Sequence, residues 1–357
     1  MHEPAGTPAA RVATSAGATV REFSAADAER WDRYVHGRPQ ATFFHLSGWK
    51  QVLERSFGQK THYLLAESAG AIVGVLPLSR QQSPLFGDAL VSTPFCVYGG
   101  AVADDERTAM MLEDAAVSLG EQLGVDHVEL RNLVSRRADW VHVDRFCTFR
   151  RGIEDDPVKN LLAIPRKQRA EVRKGEKRQL TLSLEHDPDR CWRLYAASVH
   201  RHGTPVYARR YFRDLKDVFG ASCEFLTVQD HGRPVAGLLN FYFRDEVLPY
   251  YAGSASGGRD GEIHPWMYWS LMNHAAAKGA RTFDFGRSMR GSGTFAFKQN
   301  FGFEPTPLHY EIRLVRGKAA PEMDPHSPRY RLVIEVWKRL PEPIVNAVGP
   351  WLSRQLG

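Results

Sequence analysis

The sequence has few cysteines and no long apolar run. Its 357 residues include four cysteines, Cys96, Cys147, Cys191 and Cys223. None forms a CxxC pair or a Cys/His spacing typical of a metal site, so we expect buried, reduced thiols and no bound metal. No apolar stretch reaches the roughly 18 residues that a transmembrane helix needs. The N-terminal segment has an early acid and no continuous apolar core, which argues against a signal peptide and predicts a cytoplasmic location.

Charge is only mildly one-sided. Lys and Arg number 47 against 41 for Asp and Glu, which gives a net charge of +6. This excess favours anionic partners such as phosphates, RNA or a membrane surface, without selecting among them. The length exceeds the usual size of a single core and predicts two domains.

The two halves of the chain repeat one order of elements. Gly70 and Gly232 lie 162 positions apart in predicted hairpin turns, and Gly124 and Gly279 end predicted helices 155 positions apart. A nearly constant offset indicates duplication of a unit of about 100 residues. Each unit reads as hairpin, strand, helix and strand, which predicts an α/β fold of mixed sheets with helices on their faces. In the first unit, one continuous strand is predicted from Ala71 to Gln81.

The repeat sets the predicted boundaries. We expect a disordered tail over residues 1–20, a first unit over 21–158 and a second unit over 181–316. A basic linker helix is predicted over 159–180, and a helical extension over 317–357.

The linker has a row of cations. If residues Asn160–Leu180 form one helix, Arg166, Arg169, Arg173 and Lys177 lie on one face. Such a row is either a solvated helix face or a wall for phosphates, RNA or a nucleotide-linked donor.

The stretch Thr282–Phe303, TFDFGRSMRGSGTFAFKQNFGF, combines charge, glycine and aromatic residues. Arg287 follows a short strand, Gly293 belongs to a glycine pair that permits close backbone approach, and Phe297 precedes Lys298. This composition indicates a pocket for a polar or anionic group. The alternative is a core strand and a tight turn whose cations are solvated.

The C-terminal segment, Arg329–Gly357, shows helical spacing of apolar residues with a break at Pro341. Lys338, Arg339 and Arg354 flank the apolar faces. These helices either dock onto the second unit or make a peripheral contact with the inner face of a membrane.

Several segments together resemble the FemAB-like family of tandem-GNAT proteins, which are related to the peptidoglycan interpeptide-bridge ligases. They are the duplicated unit, the basic linker helix and the segment FGRSMRGSGTFAFKQNFGFEP. Four segments are similar to the subgroup found with exosortase (PEP-CTERM) and exopolysaccharide systems: IPRKQRAEVRKGEKR, GTPVYARRYF, HPWMYWSLMNHAAAKGARTFDFGRS and the ending WKRLPEPIVNAVGPWLSRQLG. The resemblance implies two tandem GNAT-like acyltransferase domains and transfer of an acyl or aminoacyl group to an amine. In the bridge ligases, the donor is aminoacyl-tRNA and the acceptor is a cell-wall precursor.

The resemblance and the chemistry of acyl transfer select candidate catalytic residues. Lys298 matches a lysine that the bridge ligases place near the reacting carbonyl, where its charge would stabilise an oxyanion. Asp284 is a candidate general base, and Tyr251 a candidate donor or relay. Arg287 is predicted to bind a phosphate or carboxylate of a substrate, and Tyr250 is a second predicted substrate-binding residue.

The remaining substrate-binding candidates surround these residues. They are His202, Tyr207, Arg209, Arg210, Gly293 and Phe297.

A recognisable coenzyme A loop is missing. CoA-using GNAT enzymes carry a Q/R-x-x-G-x-G/A loop whose backbone N–H groups hold the pyrophosphate. The corresponding segments here read SASGGRDGEIHPW and GGAVADDERTA, and neither fits. The donor is therefore left open between aminoacyl-tRNA and acyl-CoA.

Three functions follow. The first is acyl or aminoacyl transfer to an amine of a cell-envelope, peptidoglycan-type or exopolysaccharide precursor. The second is CoA-dependent N-acylation of an amino sugar or peptide. The third is a non-catalytic binding or assembly factor of a polysaccharide-export system.

Overall fold

The computed structural model describes residues 17–84, 87–255, 261–319 and 328–355, and the side chains of 328–333 are excluded. Short 3-10 turns at Ala25–Asp27, Phe43–His45 and Gly220–Ser222 accompany the regular elements. In chain order, the first half contains β1 (Thr19–Glu22), α1 (Ala28–His36), α2 (Gly48–Phe57), β2 (Lys60–Thr61), β3 (Leu64–Ser68), β4 (Ala71–Leu76), β5 (Ser79–Ser83), β6 (Gly87–Val91), β7 (Val102–Ala103), α3 (Glu106–Leu123), β8 (His127–Asn132), β9 (Val141–Val143) and β10 (Phe146–Gly152).

The second half begins with the linker helices and ends with two helices beyond the last strand. Its elements are α4 (Pro157–Leu162), α5 (Arg166–Lys177), β11 (Thr181–Glu185), α6 (Pro188–His202), α7 (Arg209–Phe219), β12 (Cys223–Asp230), β13 (Arg233–Phe243), β14 (Glu246–Ser254), α8 (Ile263–Ala277), β15 (Thr282–Asp284), β16 (Ser288–Met289), α9 (Gly293–Asn300), β17 (Pro305–Pro307), β18 (His309–Leu314), α10 (Pro328–Arg339) and α11 (Glu342–Ser353).

These strands form three sheets, and the predicted α/β fold is confirmed. The orders are β1-β3-β4-β7, β2-β5-β6-β8-β18-β9 and β11-β12-β13-β14-β15-β10-β16, with β17 paired to β10. Each half contains the predicted hairpin, β3–β4 and β12–β13. Both turns use two residues with positive φ, Ala69–Gly70 and His231–Gly232, as a tight hairpin of this hand requires.

The two halves exchange strands. β10 is encoded before the linker, yet it pairs with β15, β16 and β17 of the second unit. β18 is encoded at the end of the second unit, yet it pairs with β8 and β9 of the first. The predicted boundaries at 158 and 181 therefore do not separate the sheets.

The N-terminal boundary also differs from the prediction. The predicted tail over 1–20 runs too far, because Thr19 and Val20 already pair with Glu67 and Ala66 in β1–β3. Residues 1–16 lie outside the described residues.

Two prolines divide elements that were predicted as continuous. Pro77 separates β4 from β5, which lie in different sheets, because proline has no N–H to give to a ladder. Pro165 separates α4 from α5 within the predicted linker helix. The row of cations survives, since all four members lie on α5.

Aromatic packing joins the two units. The ring of Phe43 stacks on that of Phe241 with centroids 4.3 Å apart, and the rings of Phe57 and Tyr211 lie 4.9 Å apart. The four cysteines are free and buried, as predicted.

The C-terminal helices α10 and α11 both contact α6 of the second unit. Across the described ranges, no helix combines the length and apolarity needed to cross a bilayer. Those same ranges hold no group of three His, Cys, Asp or Glu side chains arranged to bind a metal ion.

Candidate active site

A cavity of about 310 Å³ opens between β14 and β15. These parallel strands pair only at their starts, Glu246 with Thr282 and Val247 with Phe283. A shift of register between Leu239 and Asn240 in the neighbouring pair, β13–β14, bends the sheet before the cavity. The cavity therefore lies where two adjacent strands cease to pair.

The first unit supplies one wall of this cavity. Phe44, Phe95 and Val97 line it together with residues of the second unit. No local pattern marks these three residues, because their contact with the second unit is long-range. None of the three was predicted from the sequence, and neither were Tyr268 of α8 and Thr294 of α9, which also line the cavity.

The first unit has a much smaller cavity, of about 40 Å³, beside the end of β8. β6 and β8 also pair in parallel, from Ala89 with His127 to Val91 with Glu129. Beyond β6, the buried Arg131 guanidinium donates to the carbonyl of Cys96 at 2.8 Å. A Cβ atom at Gly100 would lie 1.8 Å from Oδ1 of Asn132, so the amide side chain of Asn132 packs directly against the backbone at Gly100.

Lys298 lies on the cavity wall and holds a backbone turn. Its Nζ donates to the carbonyl oxygens of Phe285, Gly286 and Arg287 at 2.7, 3.0 and 3.1 Å. Burial lowers the pKa of Lys298 to about 7. The three carbonyls act in the opposite sense, because they favour the ammonium form.

The segment before Lys298 is helical. Ser292 caps α9 by accepting from the Phe295 N–H at 3.2 Å, which places Thr294 and Lys298 one turn apart on the cavity side. The alternative of a core strand followed by solvated cations is therefore wrong for Lys298, which is only 8% exposed, although Thr282–Asp284 does form the strand β15. Phe297 faces elsewhere and stacks on Phe301 with centroids 5.6 Å apart.

Asp284 is fully buried at the end of β15. Its carboxylate accepts from the Gly286 N–H at 2.7 Å, the Tyr98 hydroxyl at 3.0 Å and the Thr148 hydroxyl at 3.3 Å. Arg150 lies 3.5 Å away, and burial raises the pKa of Asp284 in spite of that cation. Both oxygens of Asp284 already accept hydrogen bonds. The carboxylate is therefore better placed to connect the first unit, β10 and the turn after β15 than to accept a proton from a substrate.

Arg287 presents a guanidinium to the cavity. Its Nη1 donates to the Tyr310 hydroxyl at 3.1 Å, and the group lies 4.8 Å from the centre of the Phe146 ring. Within the described part of the chain, it forms no ion pair with a carboxylate. The pKa of Arg287 is raised by its tyrosine neighbours and Glu129, so it stays charged and has donors left for an anion.

Three predicted tyrosines lie together on the opposite wall. Tyr250 donates to the carbonyl of Phe95, and the Tyr251 hydroxyl lies 3.3 Å from that of Tyr211. The ring of Tyr207 lies 5.4 Å from that of Tyr251. Burial raises the pKa of all three cavity tyrosines, so their hydroxyls remain protonated donors at neutral pH.

Four other predicted substrate residues do not line the cavity. His202 is exposed at the end of α6, and Gly293 is exposed at the start of α9. Arg209 lies 3.6 Å from Asp189, and Arg210 lies 3.3 Å from Asp214. Both arginines belong to the outer side of α7, whose inner side buries Tyr211, Phe212 and Leu215.

The cations of α5 form a surface of their own. Arg166, Arg173 and Lys177 are exposed, and Arg169 donates to the carbonyl of Ile164 at 3.2 Å. Among the residues with described side chains, none of these four pairs with a carboxylate. α5 packs on α8 where Gly175 meets Trp266, and Tyr268 of α8 lines the cavity.

One segment relevant to the donor cannot be placed. Residues 256–260 of SASGGRDGEIHPW, which include Gly257 and Gly258, lie outside the described residues.

Comparison with known proteins identifies the class. Residues 166–299, from the start of α5 to just beyond Lys298, match the family described as an acetyltransferase (GNAT) domain. This match places the second unit among the acyltransferases. A search of curated proteins found no match.

Solved structures show the same arrangement over nearly the whole chain. The structure of FemX aligns with a TM-score of 0.67 at 15% identity, over 88% of this chain and 100% of that one. A tandem GNAT protein from the clavulanic acid biosynthesis pathway aligns at 0.54 and 12% identity, over 85% and 100%. The C-terminal domain of a putative lysylphosphatidylglycerol synthetase from Agrobacterium fabrum aligns at 0.54 and 14% identity, over 81% and 92%. The chain thus has the tandem GNAT fold of these solved structures.

Proposed function

We propose that this protein transfers an acyl or aminoacyl group to an amine held in the cavity between β14 and β15. The observation that carries the proposal is Arg287, a guanidinium without a carboxylate partner in the described residues, inside a largely aromatic cavity. A half-buried cation of this kind suits a phosphate or carboxylate on one substrate. The cavity lies in the unit that matches the acetyltransferase domain.

The surrounding residues fit the needs of acyl transfer. The amine nitrogen attacks the carbonyl carbon, the bond to the leaving oxygen or sulfur breaks, and an amine proton ends on that leaving atom. We assign Tyr251 as the hydroxyl that donates to the developing oxyanion, and Lys298 as the nearby positive charge. Asp284 is assigned to positioning, because its oxygens already accept hydrogen bonds.

We favour aminoacyl-tRNA as the donor. The exposed cations of α5 form a surface for a polyanion, and α5 packs on a helix that reaches the cavity. The FemAB-like resemblance supports an aminoacyl donor, and the name of one solved neighbour concerns a lysyl-modified lipid.

We infer that the acceptor is the amine of a cell-envelope precursor, of peptidoglycan or exopolysaccharide type. The resemblance to the exosortase-associated subgroup supports that class of acceptor. We also propose a cytoplasmic location at the inner face of the membrane.

A second candidate is a CoA-dependent N-acyltransferase. The match to an acetyltransferase domain favours it, and the name of one neighbour refers to acetyl-CoA. Its acceptor would be an amino sugar or a peptide.

Donor binding by the full chain tests these proposals. We would measure affinity for aminoacylated tRNA, for the same tRNA uncharged, and for acetyl-CoA. The aminoacyl-tRNA proposal predicts tighter binding of charged tRNA and no heat with acetyl-CoA, and the reverse result selects the CoA-dependent reaction. If neither donor binds, the chain is a non-catalytic binding factor and the proposal fails.

Substitution of Arg287 tests the cavity. Arg287→Gln should weaken binding of the charged donor, or of the anionic acceptor once it is known, by roughly tenfold or more, since a charge-assisted contact inside the cavity is lost. Arg290→Gln is the matched control, because Arg290 is exposed three residues later and donates to the Asp144 carbonyl at 3.2 Å. Equal effects of the two substitutions would remove Arg287 from the site.

Substitution of the α5 cations tests the polyanion surface. Arg166→Gln/Arg173→Gln/Lys177→Gln should weaken tRNA binding and make it less salt-dependent, by about one unit of slope for each lost phosphate contact. Arg233→Gln/Lys318→Gln, at exposed positions elsewhere, should change neither quantity. A salt-independent affinity would leave the row as a solvated helix face.

A further inference from the structure

The outer side of α11 exposes large apolar side chains at helical spacing. Ile344, Val348 and Trp351 are 46%, 42% and 54% exposed. They follow one another at intervals of four and three residues, so they share one face. The opposite side carries the buried Val345, Gly349 and Ser353.

That opposite side packs tightly against the protein. A Cβ atom at Gly349 would lie 2.8 Å from the side chain of Val206, just before α7. α11 is therefore a fixed part of the fold, which presents its exposed face in one orientation.

The helix is apolar on both sides. No charged residue occurs from Pro343 to Ser353. A helix that is apolar all round is normally buried on every side, because exposure of the second side to water is unfavourable. We therefore expect the exposed face of α11 to contact another apolar surface.

The charges around this face identify the cover. Lys338 and Arg339 precede α11, Arg354 follows it, and all three are exposed. Glu342, the acid of α11, lines a separate cavity with Arg193 and Arg209. An apolar face with an exposed tryptophan, between cations, is the pattern of a helix that lies in the interface of an anionic bilayer.

We propose that the outer face of α11 docks the protein on a membrane surface that contains anionic phospholipids. Ile344, Val348 and Trp351 enter the boundary between headgroups and acyl chains, while Arg339 and Arg354 contact lipid phosphates. This docking concerns where the protein works, and it does not require the acyl transfer itself. It would bring the cavity to acceptors carried on lipid.

Two other covers fit less well. A second copy meeting this face in a symmetric dimer would bring the same cations together. A stripe of three large side chains is also small beside the roughly 1,200 Å² that a stable protein interface buries. A membrane sets no such minimum, because binding increases steadily with the apolar area inserted.

Vesicle sedimentation without any donor or acceptor tests this proposal. The full chain should pellet with vesicles of phosphatidylcholine and phosphatidylglycerol, and much less with phosphatidylcholine alone. Ile344→Ser/Val348→Ser/Trp351→Ser should lower the partition coefficient on the mixed vesicles by at least about tenfold. Val158→Ser/Leu162→Ser is the control, since those side chains of α4 are 61% and 56% exposed, and it should pellet like the wild type.

Further measurements separate the alternatives. Arg339→Gln/Arg354→Gln should reduce the preference for phosphatidylglycerol, and thermal melting should show that the triple variant remains folded. The proposal is overturned if the wild type stays in the supernatant with both vesicles, or if the triple variant pellets equally well. A wild-type dimer that the triple variant converts to a monomer in sedimentation velocity would instead make this face a contact between copies. Because no donor is present, these outcomes are independent of the result on acyl transfer.

Discussion

Substitution of Lys298 by methionine offers a direct test of how the cavity wall is held. The buried Nζ contacts the carbonyl oxygens of Phe285, Gly286 and Arg287. Methionine keeps most of the apolar stem and removes the charge. The three carbonyls then lose their partner, and the turn that carries Arg287 loosens.

The stability difference between the wild type and Lys298→Met should change with pH in a defined direction. Burial lowers the pKa of Lys298 from 10.5 to about 7, so the unfolded chain binds more protons than the folded chain between those values. The free energy of unfolding of the wild type should therefore rise with pH across that window, by up to about 1.4 kcal/mol per pH unit. Lys298→Met lacks this contribution, so the stability difference in favour of the wild type should grow by roughly 2 kcal/mol between about pH 7.5 and pH 9.

Urea denaturation of both proteins at the two pH values measures this difference. Lys318→Met is the control, because Lys318 is exposed and its removal should leave the difference between the two pH values unchanged. A difference that stays constant with pH would refute the reasoning. It would mean that the three carbonyls hold the ammonium form with its usual affinity for a proton.

Three further predictions concern stability. Asp284→Asn should cost about 1–3 kcal/mol in urea denaturation, because its partners include Tyr98 and a cation; no loss would show that the carboxylate charge is dispensable. Gly100→Ala should lower the free energy of unfolding by about 1–3 kcal/mol, since its Cβ would lie 1.8 Å from an amide oxygen. Gly293→Ala should leave stability unchanged, because its Cβ meets open space at a helix start. Thermal melting compares the two variants, and equal melting temperatures would contradict the packing at Gly100. Burial lowers the pKa of His45 to about 4, so this histidine contributes up to about 3 kcal/mol to stability above pH 6.5, and that contribution is lost as pH falls towards 4. His45→Gln should therefore lose less stability than the wild type between pH 6.5 and pH 4. Parallel curves of stability against pH for the two proteins would refute this.

Much of the fold follows from local patterns. The glycines at 70 and 232 predict hairpins because only a tight turn with positive φ needs them there, and both hairpins occur. The four cations of the linker predict one helix face, and all four lie on α5. The breaks at Pro77 and Pro165 could also have been predicted from the sequence. They were not, because strong apolar or charged periodicity continues on both sides of each proline.

Non-local choices could not be read in the same way. Which strand completes a sheet depends on partners far along the chain, so the exchange of β10 and β18 has no local signature. The same limit applies to Phe44 and Phe95, which reach the cavity only because the two units pack together.

The candidate site was therefore predicted unevenly. Lys298, Asp284 and Arg287 come together because one short segment carries them. Arg209 and Arg210 were placed with the site because they follow Tyr207 in sequence, but the start of α7 turns them outwards.

The trade of β10 and β18 restricts how this protein can be divided. A gene cut between residues 158 and 181 would yield two polypeptides, each with a bare sheet edge and each carrying the strand that its counterpart requires. Made separately, such fragments would offer unpaired backbone to any passing strand and tend to aggregate. Made together, they would have to assemble while folding. Neither duplicated unit can therefore be separated from the other without losing a strand of its sheet.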